Sequence, residues 1–279
     1  ITKAMQLVAA AKMKKAQDQA VAGRENADEL NRVLVNLKEN ADDEAHPLLA
    51  EQPAGKELIL VISTDKGLCG GLNTNLYKKV LAESGDNTDF STVGRKLHLQ
   101  LAKSGRNVVS DWHVHDPVPF AEAKPIAKYL TEQFLSSKYS VVKVAFSDFV
   151  STLTQEPWIA QILPLQEEKI AERRNYEKTS ALHVSETDTE AAMANDYLFE
   201  PSPEKVLDTL LPLYINFQIY QMILEARASE HSARMVAMKS ATDNAESMIK
   251  DLTLEYNKMR QAAITSELLE ITTAMKAME

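Results

Sequence analysis

The densest chemistry in the sequence is the stretch Thr64–Asn73 (TDKGLCGGLN), which gathers Asp65, Lys66, Cys69 and three glycines. It follows an apolar run, Glu57–Ser63 (ELILVIS), and leads into a helical pattern at Leu72–Glu83. In a doubly wound α/β fold, a strand–turn–helix of this kind is where a nucleotide phosphate rests. Gly67, Gly70 and Gly71 match neither G-x-G-x-x-G nor G-x-x-x-x-G-K-[ST], so the turn reads equally as a tight reversal needing glycine conformations. Lys66 beside Asp65 is then either a phosphate contact or a surface pair. His113 and His115 flank Val114 on a strand pattern and so share a face, with Asp111 and Asp116 close by. That set offers metal donors, but no further clustered ligand follows; an exposed strand end is the alternative. Cys69 has no motif partner for nucleophilic chemistry and suits a small buried residue in a turn. No catalytic, cofactor-binding or metal residue is assigned.

The elements that would position these groups are marked by helix breakers. Every proline lies between Pro47 and Pro212, and every glycine between Gly23 and Gly105. The 67 residues from Leu213 to Glu279 contain neither and are rich in Ala, Met, Leu, Glu and Lys, which predicts one very long helix. Propensity alone does not hold such a helix; it needs a partner along its face. The N-terminal end supplies one. Met13, Ala16, Ala20, Gly23, Ala27, Leu30, Leu34 and Leu37 alternate in steps of three and four, a coiled-coil seam made of small residues in its first half. A comparable rhythm runs through Ala245, Met248, Leu252, Tyr256, Met259 and Ala263, with polar interruptions near Ser229, Glu230 and Ser240. The two ends are expected to pair antiparallel, with two unrelated helices on a globular core as the alternative. The C-terminal helix is the longer, so its tip stripe (Ile264, Leu268, Ile271, Met275, Met278) calls for a partner outside the chain.

Between the ends, strand patterns at Glu57–Ser63, Ser91–Gly94, Asn107–Trp112 and Ser140–Phe146 alternate with helical ones, which predicts a parallel-rich sheet covered on its faces. Val150–Leu165 reads as a further extended segment. The expected organisation is an N-terminal coiled-coil helix over 1–46, an α/β domain over 57–165, an irregular connection over 166–203 and a long C-terminal helix over 204–279.

Composition narrows the function classes. The chain has 279 residues, a net charge of −9 and one cysteine. The charge argues against nucleic acid as a partner, and the lone cysteine excludes an internal disulfide. No run approaches a membrane span. Charge is unevenly placed: Lys3, Lys12, Lys14, Lys15 and Arg24 face only Asp18 in the first 24 residues. That basic segment either meets an acidic partner or is a solvated helix face.

Four ordered blocks, Ile1–Lys14 (ITKAMQLVAAAKMK), Thr64–Asn73, Ala228–Asn244 (ASEHSARMVAMKSATDN) and Tyr256–Ile271 (YNKMRQAAITSELLEI), resemble the gamma subunit of the F-type ATP synthase. The chain opens inside that family's first helix, so an upstream segment is expected to be missing. Ala274 and Met275 stand where the family usually has Gly-Ala, and the chloroplast regulatory cysteine pair is absent, favouring a bacterial source.

The resemblance implies an antiparallel coiled coil with a small Rossmann-like α/β domain inserted between its helices. It implies a non-catalytic central stalk, without cofactor, that couples ion flow through the membrane c-ring to ATP synthesis or hydrolysis in a ring of three alpha and three beta subunits. The epsilon subunit would share the foot, and the location would be peripheral, on the cytoplasmic face of the bacterial plasma membrane. Carried over by position, Arg260, Gln261, Thr265 and Glu267 match the stretch engaging a beta-subunit catch loop. Arg234 matches a basic position implicated in coupling. Met5 matches a position facing an acidic beta-subunit lever, and Lys12, Lys14 and Lys15 lie on the same segment. Two other readings stand beside it: a free-standing coiled-coil scaffold with an α/β head, and an enzyme binding a phosphorylated ligand at Asp65–Gly71.

Overall fold

A computed structural model of the chain describes residues 1–39, 46–53, 55–165 and 202–278. Two long helices flank a five-stranded sheet. Helix α1 covers Thr2–Glu39. The sheet region follows as β1 (Lys56–Ile62), α2 (Leu72–Glu83), β2 (Thr88–Val93), α3 (Arg95–Lys103), β3 (Val108–Trp112), α4 (Phe120–Leu135), β4 (Tyr139–Phe149) and β5 (Gln155–Leu163). Helix α5 then runs from Pro203 to Met278. The expected connection over 166–203 lies almost wholly outside the described residues.

The strand order is β3-β2-β1-β4-β5. β1 pairs parallel with both β2 and β4, and β2 with β3. β5 returns antiparallel along β4, as a short hairpin connection permits. The apolar run of β1 is continuous because both faces of the sheet are covered. Leu58, Leu60 and Ile62 enter a core shared with α4 and α5, whereas Ile59 and Val61 enter a second core with Leu76 and Val80 of α2 and Leu97 and Leu101 of α3. The strand period of two thus assigns each residue to a layer.

The two long helices run antiparallel. The Thr2 and Thr242 hydroxyls meet at 2.6 Å, and Gln221 Nε2 donates to the Ala20 carbonyl at 3.3 Å. Ala9, Ala16 and Ala20 are buried between them, and Met13 and Leu30 are half-buried. Small side chains let the backbones approach closely. The Gly23, Ala27, Leu34 and Leu37 positions of the expected seam lie outside the described side chains. Pairing with α1 reaches Thr242; from Asp243 to Met278 nearly every residue is exposed. At 1.5 Å per residue that bare stretch is about 54 Å long. Helix α5 also begins earlier than the breaker-free stretch, carrying Pro212 within it. Pro203, at the first helical position, costs little because its missing N–H is unsatisfied in any helix start.

Candidate functional site

From Gln221 to Ala233 every residue of α5 is buried. Thirteen consecutive residues exceed three helical turns, so the helix is enclosed on all sides there rather than along one stripe. Much of the enclosed surface is polar: Gln221, Glu225, Arg227, Ser229, Glu230, His231 and Ser232 are all buried.

Each side of this collar comes from a different part of the chain. On one side the β4–β5 hairpin leans on the helix, and Ser232 Oγ donates to the Thr152 carbonyl at 2.7 Å. At about 100° per residue, the next side is the apolar contact of Ala233 with Cys69 and Leu72. Beyond it, Glu230, Arg234 and Arg227 share one sector and meet the turn after β1. Arg227 Nη1 lies 2.7 Å from Glu230, and its Nη2 lies 2.9 Å from the Val114 carbonyl and 3.5 Å from Asp65. Arg234 Nη2 lies 2.7 Å from the other Glu230 oxygen, and Arg234 donates to the Lys66 and Gly67 carbonyls at 3.3 Å. The last side is His231, whose Nε2 is 3.1 Å from Asp116. Lys12 of α1 reaches the same Asp116 oxygen at 2.7 Å, which joins the first helix to the collar.

The electrostatics follow from this packing. Burial works against the Arg227 charge, but Glu230, with Asp65 and Asp116 behind it, more than compensates and raises its pKa. His231, 3.1 Å away, and then Lys12 hold the Asp116 carboxyl well below the usual carboxylate range, against partial burial. Removing one partner of such a buried pair costs about 3–5 kcal/mol, whereas replacing both by apolar groups is often neutral.

The turn Thr64–Asn73 is built to hold this helix. Asn73 Nδ2 donates to Thr64 Oγ1 at 2.8 Å, and Thr64 Oγ1 donates to the Lys66 carbonyl at 2.8 Å, which aims the Lys66 and Gly67 carbonyls at Arg234. The crevice at the end of β1, where a doubly wound fold would seat a ligand, is lined by Ser63, Thr64, Asn73 and Ser147 and plugged by Ala226, Arg227 and Glu230 of α5. About 10 Å³ remains, room for one water at most. Gly94, at φ 88°, is required behind it: an added Cβ would sit 2.5 Å from the Ser63 carbonyl oxygen.

The histidine pair and its neighbours are separated by their partners. His113 and His115 follow β3, with ring centroids 5.7 Å apart. His115 Nδ1 lies 2.7 Å from Glu122, Asp111 accepts from Thr92 at 2.9 Å, and Asp116 belongs to the collar. Among the described residues no group of three or more donors forms a metal site. Cys69 is buried, and burial pushes its thiol up, away from the reactive thiolate.

The residues singled out by resemblance fall into three places. Arg234 is almost covered and bonded within the chain. Met5 is half-buried on α1, Lys14 and Lys15 are exposed, and Lys12 is engaged by Asp116. Leu7 and Val8 stand exposed beside these lysines, an apolar patch that the seam pattern did not pick out. Arg260, Gln261, Thr265 and Glu267 lie on the bare part of α5, with Thr265 Oγ1 donating to the Gln261 carbonyl at 2.9 Å. Arg260 and Glu267 lie within about 20° of each other on the helix, beside the arc of Ile264, Leu268, Ile271 and Met275. Sequence reasoning missed the collar itself. Its signal was the polar interruption at Ser229 and Glu230, since a polar residue inside an apolar rhythm marks a buried partner as well as a break.

Comparison with known proteins agrees over the whole length. The family model described as ATP synthase matches residues 1–278. The ATP synthase gamma chain of Akkermansia muciniphila is 47% identical over 279 residues, covering 100% of this chain and 93% of that one. The gamma chain of Opitutus terrae is 45% identical over 277 residues, covering 99% and 92%. Among solved structures, a chain of the Tetrahymena thermophila mitochondrial ATP synthase central stalk and c-ring superposes with a TM-score of 0.65 at 23% identity, over 87% of this chain and 99% of that one. A chain of the Euglena gracilis mitochondrial ATP synthase OSCP/F1/c-ring assembly gives 0.58 at 19% identity, over 99% and 94%. The structural likenesses show a common fold, and the sequence relationships show descent: the chain belongs to the gamma-chain family of ATP synthase.

Proposed function

We propose that the chain is the rotor of a rotary ATP synthase, a non-catalytic shaft that couples ion flow through a membrane c-ring to catalysis in a ring of alpha and beta subunits. The observation that carries this reading is the collar: α5 is gripped on all sides from Gln221 to Ala233 by the sheet domain and α1. A helix held this way turns with the domain that holds it and carries the rotation along its length.

The bare segment suits a surrounding sleeve. Met248, Leu252, Tyr256 and Met259 point to one side, and Ile264, Leu268, Ile271 and Met275 point about 135° away from them. A single heptad partner drifts only about 20° per heptad, so one straight helix does not cover both arcs. Several subunits around the shaft do. On this reading Arg260, Gln261, Thr265 and Glu267 meet a beta-subunit catch loop, and Met5, Leu7, Val8, Lys14 and Lys15 meet an acidic beta-subunit lever. Lys12 and Arg234 act from within, through Asp116 and Glu230. The α/β domain forms the foot with an epsilon subunit on the c-ring, at the cytoplasmic face of a bacterial plasma membrane. A rotor must leave each docking position, so exposed and moderate contacts serve better than deeply desolvated ion pairs.

The test is to mix the chain with alpha and beta subunits and follow ATPase activity and rotation of a bead fixed to the foot. ATP-driven rotation is expected; failure to assemble would overturn the reading. Arg260→Ala and Gln261→Ala should lower coupling while the isolated chain keeps its helix content by circular dichroism.

A further inference from the structure

The collar does more than cover an apolar face. A helix packed only by apolar side chains can turn or slide by small steps, because dispersion and burial are nondirectional. Directional contacts remove that freedom. Here four separate segments fix α5 around its circumference. The hairpin does so through Thr152 and Ser232, the turn after β1 through Asp65, Lys66 and Gly67, the loop after β3 through Val114 and Asp116, and α1 through the Ala20 carbonyl, which accepts from Gln221. Arg227, Glu230 and Arg234 are the core of this arrangement. They face the turn as an alternating positive, negative, positive row, and a rotation of one residue would carry all three away from their acceptors. Replacing such a buried network by apolar residues commonly leaves stability unchanged, so stability does not explain its presence.

We infer that Arg227 and Glu230, held by Asp65 and the Val114 carbonyl, are positioning residues that key the shaft to the foot and set the angle at which torque passes between them. This rests on the rotor reading given above. Glu230 lies 13 residues before Asp243, so any angular slack at the collar is carried along α5 beyond its pairing with α1.

The double variant Arg227→Met/Glu230→Gln separates keying from stability. Methionine fills the arginine channel without charge, and glutamine keeps an acceptor for Arg234. The assembled alpha, beta and gamma complex, with a bead on the foot, is watched at its ATP-waiting dwells. Alongside it, the complete synthase in vesicles is assayed for ion-driven ATP synthesis. The expected result is a wider angular spread at each dwell, a shift of the mean dwell angle, and loss of ATP synthesis, while the isolated chain keeps its helix content by circular dichroism. The same spread and synthesis rate as wild type, in a variant that folds and assembles, would overturn the inference. If the double variant does not assemble, Asp65→Asn removes the loop's charge without touching the helix. An unchanged dwell spread in that variant is equally fatal, and a widened one supports the key. Failure of the wild-type complex to rotate would instead remove the rotor reading, which keeps the two outcomes distinct.

Discussion

Replacing Gly94 by alanine should loosen the foot that holds the shaft. Gly94 stands between β2 and α3 at φ 88° and ψ 146°, a backbone region open essentially to glycine alone. Forcing alanine into it costs about 1–3 kcal/mol. The new methyl would also lie 2.5 Å from the Ser63 carbonyl oxygen and 3.0 Å from its carbon, backbone atoms that cannot rotate aside. Overpacking of that kind adds about 1–3 kcal/mol. The total, about 2–6 kcal/mol, is a large part of a typical domain's stability. Ser63 holds the β2–α3 junction through hydrogen bonds to the Val93 and Gly94 carbonyls, and its Oγ accepts from Leu97 N–H. A displaced Ser63 moves Thr64 and so the turn that clasps Arg234. Gly70 is the control. It too has positive φ, at 59°, but an added Cβ meets nothing within 4 Å, so Gly70→Ala should cost only about 1 kcal/mol. Both tryptophans, Trp112 in β3 and Trp158 in β5, lie in the sheet, so fluorescence-monitored urea unfolding reports on the foot. Gly94→Ala should unfold at much lower urea than Gly70→Ala. Equal midpoints for the two variants would refute the steric reasoning.

Two further outcomes follow from the collar and the tip. Asp116 has a lowered pKa in the folded chain, so its pairing stabilises fully above the unfolded value of about 3.9 and is lost as pH falls toward the folded value. In acid titrations followed by circular dichroism, Asp116→Asn should lower stability at neutral pH and flatten the acid limb of the stability curve. On the bare segment, Leu268→Asp should prevent assembly with alpha and beta subunits, as read by size-exclusion chromatography, and leave foot unfolding within about 0.5 kcal/mol of wild type, because the side chain is exposed.

The long helices were legible because glycine and proline are costly in helix interiors and their absence is visible by inspection. Strand β1 was legible because both its faces meet apolar layers and the run LILVI is apolar without a break. The antiparallel return of β5 was read only as an extended segment, since direction is decided by which neighbour it pairs with and not by its own residues. The helix expected over 204–279 includes Pro212, which local rules disfavour in a helix interior, and α5 passes through it: Leu207, Leu211, Tyr214 and Ile215 are buried on either side, and that packing outweighs one missing hydrogen bond. The glycine-bearing turn drew attention as a place for a ligand. Its partner proved to be Arg227 and Arg234, more than 160 residues away in sequence. No local pattern carries that pairing. The tip candidates Arg260, Gln261, Thr265 and Glu267 rest on resemblance alone, because exposed polar side chains on a helix have no periodic signature.

The pairing of α1 with α5 also has a consequence for synthesis. Its contacts close loops of 201 and 240 residues, Ala20 with Gln221 and Thr2 with Thr242. Translation at about 5–20 residues per second leaves α1 without its partner for on the order of ten to fifty seconds. During that interval the parallel core of β1, β2, β3 and β4 has already emerged, since it is contained within Lys56–Phe149. The nascent chain therefore carries a sheet with one face still uncovered and an unpaired amphipathic helix before α5 arrives to complete the core and thread the collar. A chaperone that shields helical apolar faces on the ribosome would act on α1 during this interval, and the insertion of α5 into the collar would release it.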